Sequence, residues 1–205
     1  MNWLSRVLLL GVAAMLSVSG CEAASNAPYK EGVHYKIAKP AGKTDKPQVI
    51  EFFNHGCPHC YHAEVTVAAF HQQHQEIDFK RIAVYEFQPA WNNLSKAYYT
   101  AEVLGIANKA HPALFTLVHE KHQLLQNDQQ IIDFLSQLGA SPDSIKGTLN
   151  SFAVKTLLST AQQKQREFRI TSVPAFIVND KYFTDVTMAG GIEELPKVLL
   201  FLTQK

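Results

Sequence analysis

The chain has 205 residues, 46% of them hydrophobic and 18% charged, with a formal net charge of +1. That is the size of one globular unit, or of one domain carrying an insertion. The near-neutral balance argues against a nucleic-acid-binding face or a polybasic membrane surface.

Residues 1–20 differ from the rest: a short n-region ends at Arg6, the apolar run Val7 to Leu16 follows, and small residues come next. This is the pattern of an export signal, and the run is too short to span a bilayer comfortably. Val18-Ser19-Gly20-Cys21 resembles the bacterial lipobox, in which cleavage exposes a cysteine that carries acyl chains, so Cys21 is the expected site of a lipid anchor. The other reading is ordinary cleavage after Ala23, which discards Cys21. Either way Cys57 and Cys60 are the only thiols of the mature protein. One close cysteine pair in an exported chain suits a redox catalyst better than a disulfide-stapled scaffold.

Residues 21–47 are polar and interrupted by Pro28, Gly32, Pro40, Gly42 and Pro47, which predicts a tether with at most one short strand near Val33 to Ile37. Gln48 to Phe53 predicts a buried strand, and Pro58 to about Gln75 a helix with Tyr61, Val65, Ala68 and Ala69 facing inward. Ile77 to Val84 alternates imperfectly and predicts a second strand. From Gln88 to about Asn150 the pattern is wholly helical. Apolar residues recur at helical spacing in Val103, Ile106 and Ala107, in Leu114, Leu117 and Val118, and in Ile131, Phe134, Leu135 and Leu138.

Asn127 or Asp128 is placed to cap the third of these helices, and Ser141-Pro142-Asp143 has the form of an N-cap followed by proline at the first helical position. A longer helix is expected from about Ser144, with Val154, Leu157, Leu158 and Ala161 on one face. Ala175 to Val178, the tight turn Asn179-Asp180 and Lys181 to Phe183 predict a hairpin. Gly190-Gly191 then leads into a terminal helix with Ile192, Leu195, Leu199 and Leu202 on one stripe, Pro196 being tolerable only near its first turn. The order predicts an α/β fold in which a βαβ unit (residues 48–87) and a ββα unit (residues 150–205) flank an all-helical insertion (residues 88–149).

Cys57-Pro58-His59-Cys60 falls at the junction of the first strand and the first helix. A thiol at a helix start meets unpaired backbone N–H groups and the positive end of the helix dipole, which favour its ionised form. The second thiol lies one turn on, within reach to close a ring. An isolated CxxC is a weak signal, because zinc sites use the same spacing. Here no second CxxC or distant His-x3-His pair completes a site around Cys57, Cys60 and His55, His59 or His62, so no metal is expected. Covalent haem attachment needs histidine directly after the second cysteine, where Tyr61 stands.

Element order and motif together resemble the DsbA family of thiol:disulfide oxidoreductases, a thioredoxin-like fold with a helical domain inserted in its middle. The resemblance covers about Gln48 to the C-terminus. It rests on Glu51-Phe52-Phe53, Cys57-Pro58-His59-Cys60-Tyr61, Ser172-Val173-Pro174-Ala175-Phe176 and Asn150-Ser151-Phe152 with Val154-Lys155, the last of which opens the helix after the insertion. Asn54-His55-Gly56 departs from the aromatic-rich approach usual in that family.

The resemblance implies an oxidase that donates a Cys57–Cys60 disulfide to newly exported cysteine-containing proteins in the periplasm. It further implies no bound cofactor and reoxidation by a membrane quinone-linked partner of the DsbB type. A reductase or isomerase of the same fold is the nearest alternative, against which the Pro58-His59 dipeptide argues. A non-catalytic chaperone or metal carrier is the alternative of another class.

Cys57, at the helix start, is the expected attacking and leaving thiol, and whatever stabilises its thiolate makes the disulfide a stronger oxidant. A helix terminus supplies about 0.3 to 2 kcal/mol, less than an acidic catalytic cysteine requires at about 1.4 kcal/mol per pKa unit. Backbone amides of the turn and His59 are expected to add the remainder. His55 is expected either to add to this effect, to face a substrate or to be a solvated loop residue, and His71, His74, His119 and His122 to be surface residues without a role. Glu51, a carboxylate in an apolar strand, is a candidate for exchanging a proton with Cys60, and Arg81 matches the family's basic partner. Val173-Pro174 precedes a strand in which proline is unfavourable. By resemblance its peptide bond is cis, the loop sits against Cys57, and the Val173 backbone pairs with an extended substrate segment.

Overall fold

A computed structural model describes residues 28–205; the expected export signal, the lipobox and Cys21 lie outside the described residues. Among the described residues five strands form one mixed sheet: β1 (Lys36–Ile37), β2 (Gln48–Phe53), β3 (Asp78–Ala83), β4 (Ala175–Val178) and β5 (Tyr182–Asp185). Their order across the sheet is β1-β5-β4-β2-β3, with β2 and β3 parallel and the other pairs antiparallel. Helix α1 (Pro58–Gln73) links the parallel pair, and helix α7 (Leu195–Thr203) closes the chain. Asn179 and Asp180 both take positive φ (52° and 57°) at the centre of a turn closed by Lys181 N donating to Val178 O at 3.0 Å.

Strand β2 is nearly continuous in apolar residues because both of its faces are covered. Val49, with Phe176 and Val178 of β4, packs under α1 and α7; Ile50 and Phe52, with Ala175 and Ile177, pack against Phe168 and Ile170 on the other face. At about 1.5–3 kcal/mol for each fully buried large side chain, this cross-strand core is what holds the sheet to its helices. Period-two alternation puts Glu51 on the same face as Val49, under α1, so its charge must find a partner inside the protein.

Helix α1 is rotated from the expected face. Cys60, Ala63, Val67 and Phe70 point inward, whereas Val65 is 79% exposed and Ala68 is exposed, with Tyr61 and Ala69 half-buried. The segment carries apolar residues on two stripes, and the sheet selects the one that ends in Phe70, the larger side chain.

Between β3 and β4 come a single 3-10 turn (Pro89–Trp91) and five helices: α2 (Asn92–Val103), α3 (Ala107–His119), α4 (Asp128–Gln137), α5 (Pro142–Leu149) and α6 (Phe152–Glu167). Asn127 Oδ1 accepts from Gln130 N at 3.0 Å and Ser141 Oγ from Ser144 N at 3.2 Å, so both expected caps form. The single helix expected from Ser144 is two, because Ser151 Oγ accepts from Val154 N at 3.3 Å and starts α6 afresh. The Val103-Ile106-Ala107 spacing spans a break: α2 ends at Val103, and Gly105 turns the chain at φ +72°. Helix α2 buries Leu94, Ala97, Tyr98 and Ala101 instead. These residues, with Leu114, Ile131, Leu135, Val154, Leu158 and Ala161, form one apolar core that also contains Phe53, Cys57 and Cys60. The cysteine pair therefore sits where the helical layer and the sheet share a core.

Candidate active site

Cys57 is the N-cap residue of α1 with extended backbone (φ −88°, ψ 117°), and Pro58 takes the first helical position, where its missing N–H costs nothing. Cys57 Sγ accepts from the Cys60 amide at 3.4 Å and lies 3.3 Å from the Val173 carbonyl oxygen, to which it donates only in its protonated form. Both cysteines are buried free thiols, and His59 between them is exposed. The Val173–Pro174 bond is cis, and this loop lies directly against Cys57. A groove of about 340 Å³ opens beside it, lined by His59, His62, Ser172, Val173, Pro174 and Ile192 among others. A larger cavity of about 780 Å³ between α3 and α4 shares no residue with the cysteine site.

The two thiols are driven apart in acidity. The Cys57 thiol is lowered to about 6, first by a hydrogen bond with the Cys60 side chain, then by the backbone N–H groups of Cys60 and His59 and by the His59 charge, against the cost of its own burial. Burial, the hydrogen bond with Cys57 and the charges of Cys57 and Glu51 push Cys60 far upward. Cys57 thus holds the thiolate and Cys60 the proton. The sequence reading named the amides and His59 but missed the largest cause, the second thiol.

Asn54 organises the approach to Cys57. Its fully buried side chain donates to Val84 O (3.0 Å) and Ser95 Oγ (2.8 Å) and accepts from Gly56 N (2.8 Å), while its carbonyl accepts from Cys57 N at 3.0 Å. A Cβ on Gly56 would lie 2.3 Å from the Trp91 ring, so only glycine lets the loop pass. Asn54→Ala is expected to cost about 3 kcal/mol in chemical denaturation, because a buried donor and acceptor set is lost at once.

Glu51 and Arg81 face each other across the parallel β2–β3 pair. Arg81 Nε donates to Glu51 Oε2 and Arg81 Nη2 to Glu64 Oε1, both at 3.0 Å. Glu51 is fully buried, and its carboxyl is raised to about 7 by desolvation, with Arg81 pulling it down and Glu64 pushing it up. Glu64, on the half-buried flank of α1, was not singled out from the sequence.

His55 is no solvated loop residue: it is completely buried, its Nε2 lies 3.1 Å from His111 Nδ1, and its carbonyl accepts from His119 Nε2 at 2.8 Å. His119, expected at the surface without a role, is half-buried and stacks on Tyr61 with ring centroids 4.6 Å apart. His111 had one legible signal, since it shares the buried stripe of α3 with Leu114 and Phe115.

Comparisons with known proteins identify the fold and the family. A family model described as a DSBA-like thioredoxin domain matches residues 48–199. The chain is 31% identical over 202 residues to the thiol:disulfide interchange protein DsbA of Pseudomonas aeruginosa, covering 97% of this chain and 95% of the relative. It is 35% identical over 211 residues to the DsbA of Burkholderia cepacia, covering 98% and 95%. The crystal structure of Pseudomonas aeruginosa DsbA superposes with a TM-score of 0.78 at 31% identity, covering 86% of this chain and 93% of that one. A Cys-to-Ser variant of Proteus mirabilis DsbA with a non-covalently bound peptide, PWATCDS, superposes with a TM-score of 0.76 at 25% identity, covering 87% and 100%. With a thioredoxin-like sheet, a helical insertion and a split-acidity cysteine pair at the helix start, the chain belongs to the DSBA-like thioredoxin domain family and is a thiol:disulfide oxidoreductase.

Proposed function

We propose that the protein works as a periplasmic dithiol oxidase, passing a Cys57–Cys60 disulfide to newly exported polypeptides. The observation that carries this reading is the opposite push on the two thiols, which stabilises the reduced enzyme as Cys57 thiolate and Cys60 thiol. A stabilised reduced form makes the disulfide a ready donor.

In the forward reaction a client thiolate attacks Cys57 Sγ, the Cys57–Cys60 bond breaks, and Cys60 leaves with the electron pair. Its high proton affinity makes it take up a proton, for which the Glu51 carboxyl, about half protonated near neutrality, is the donor in this reading. A second client thiolate then attacks the client sulfur of the mixed disulfide, and Cys57 leaves as a thiolate that needs no proton. The client gains a disulfide and the enzyme holds two reduced sulfurs. Arg81 keeps the Glu51 carboxylate tolerable inside the sheet.

The exposed groove beside Val173 and Pro174 offers backbone and apolar contact to an extended client segment, with little demand on its sequence. The bound peptide of the Proteus mirabilis variant supports a peptide segment as the occupant. The remaining parts of the reading are reoxidation by a DsbB-type quinone-linked membrane protein and a lipid anchor at Cys21. Residues 48–87 and 150–205 act in it as the chemical unit, with the insertion over 88–149 as their cover.

The test is the equilibrium of the Cys57–Cys60 pair against a graded glutathione buffer. Reduction even in mildly oxidising buffer is the expected result. A pair that stays oxidised until the buffer is strongly reducing has thioredoxin-like poise and sinks the oxidase reading in favour of the reductase.

A further inference from the structure

The site contains more buried ionisable groups than the exchange chemistry uses. Glu51, Arg81, Glu64, His111 and His55 form one continuous chain, drawn from β2, β3, α1, α3 and the loop before Cys57. Glu64 Oε2 lies 3.0 Å from His111 Nε2 but out of hydrogen-bond alignment, so neither atom has a hydrogen-bond partner, and His111 Nδ1 lies 3.1 Å from His55 Nε2.

The partners dictate the protons. An ionised carboxylate only accepts, so the His111 proton belongs on Nε2, towards Glu64. His111 Nδ1 is then an acceptor and His55 Nε2 its donor, which leaves His55 Nδ1 without a partner in its buried site. Burial lowers the proton affinity of both rings, and each lies near the positive charge of Arg81. A neutral pair follows, with the His111 N–H edge lying against Glu64.

The Arg81 fork is what this donor protects. Its Nε and Nη2 atoms form the side-on edge that a single carboxylate takes with two oxygens. Here the edge is divided, Nε to Glu51 and Nη2 to Glu64. Glu64 accepts this division because its other oxygen faces His111. Without the His111 N–H edge 3.0 Å away, nothing polar is left to keep this already unpartnered oxygen from turning to Arg81 Nε.

We propose that His111, fixed in its tautomer by His55, is a positioning residue that holds one oxygen of Glu64, keeps the Arg81 fork divided, and thereby sets the proton affinity of Glu51. The consequence for Cys60 rests on the proton-exchange reading of Glu51 above; the positioning itself does not. The other ionisable groups facing this chain are Cys60 of α1 beside Glu51, Tyr98 of α2, whose ring is 5.5 Å from His55 and 5.9 Å from His111, Glu102 acting through Tyr98, His71 of α1 beside Arg81 and Glu64, and His119 of α3.

The test is a carbon-13 carboxyl NMR titration of the full chain in its dithiol form, with the Glu51 signal assigned by its loss in Glu51→Gln. The midpoint is expected near 7 in the unaltered protein. In His111→Phe it moves up by about one unit, as Glu64 takes both fork atoms. In His111→Gln, whose amide nitrogen replaces the Nε2 donor, it returns towards the starting value. Glu64→Gln, on a half-buried surface and independent of how His111→Phe folds, moves it down by about half a unit or more. An unmoved midpoint in folded His111→Phe overturns the proposal, as does Glu64→Gln without a downward shift, or His111→Gln behaving like His111→Phe. A merely structural His111 changes the melting temperature and leaves the midpoint alone. If exchange rates keep their pH dependence in Glu51→Gln, the proton-exchange reading fails while the NMR midpoints still decide the positioning.

Discussion

Replacing Cys57 by serine is expected to abolish client oxidation, whereas replacing Cys60 leaves a protein that still attacks disulfides but has no thiol of its own to resolve the mixed disulfide that forms. Cys57 carries the thiolate and touches Val173, a residue lining the groove, while Cys60 carries the proton. Cys60→Ser should therefore accumulate stable mixed disulfides with peptide disulfides, visible as added mass on non-reducing gels, and Cys57→Ser should accumulate none. Because the Cys60 side chain is the largest cause of Cys57 acidity, the two Cys60 variants should also differ from each other. Serine retains a hydrogen-bond donor and keeps the alkylation midpoint of Cys57 near 6, whereas Cys60→Ala removes it and raises the midpoint by about one unit or more. Equal midpoints in the serine and alanine variants would assign the acidity to the backbone amides and His59 alone.

The second large effect is on stability, and only in the reduced protein. Cys57 in the folded dithiol is lowered to about 6, against about 8.5 in an unfolded chain. A depressed acid contributes stability that is fully present above the unfolded value and is lost as pH falls through the folded one. Denaturation of the dithiol form, with the disulfide form subtracted at each pH, should thus show a gain of up to about 3 kcal/mol between pH 6 and 8.5. Cys60 acts in the opposite sense: its raised proton affinity adds stability below the unfolded value that is lost above it, so the difference falls again at higher pH. Glu51, raised to about 7, costs stability as pH rises from the ordinary carboxyl range to that value. Since it does so in both redox forms, the subtraction isolates the sulfurs. A flat difference between pH 6 and 8.5 would remove the thiolate as the source of the oxidising poise.

These two predictions divide along what was legible without coordinates. Cys57-Pro58-His59-Cys60 between an apolar strand and a helix, the Ser141 and Asn127 caps, the Asn179-Asp180 turn and the buried run Gln48 to Phe53 are local patterns. Each depends on residues within a few positions of one another, so spacing alone identifies them. Glu51 was legible as a carboxylate in an apolar strand, and resemblance supplied Arg81 and the loop at Val173-Pro174. Most of the redox chemistry lies in that short list.

The rest needed the folded chain. Two apolar stripes run along α1, and only the sheet beneath chose Cys60, Ala63, Val67 and Phe70 over Val65 and Ala68. Helical spacing continues across Asn150-Ser151, so periodicity ran one helix through the place where the resemblance opens a new one, and a serine becomes a cap only when the next turn supplies the amide. Asn54 and His55 look like polar loop residues until α2 and α3 cover them with Ser95, His111 and His119. His55 and His111 are 56 positions apart, and their pairing exists only because α3 crosses over the loop. Which atoms can exchange a disulfide follows from local sequence; where their protons rest follows from the folded packing. Acidity in this site is set by burial and by which donor faces which carboxylate, and those are properties of packing between distant segments.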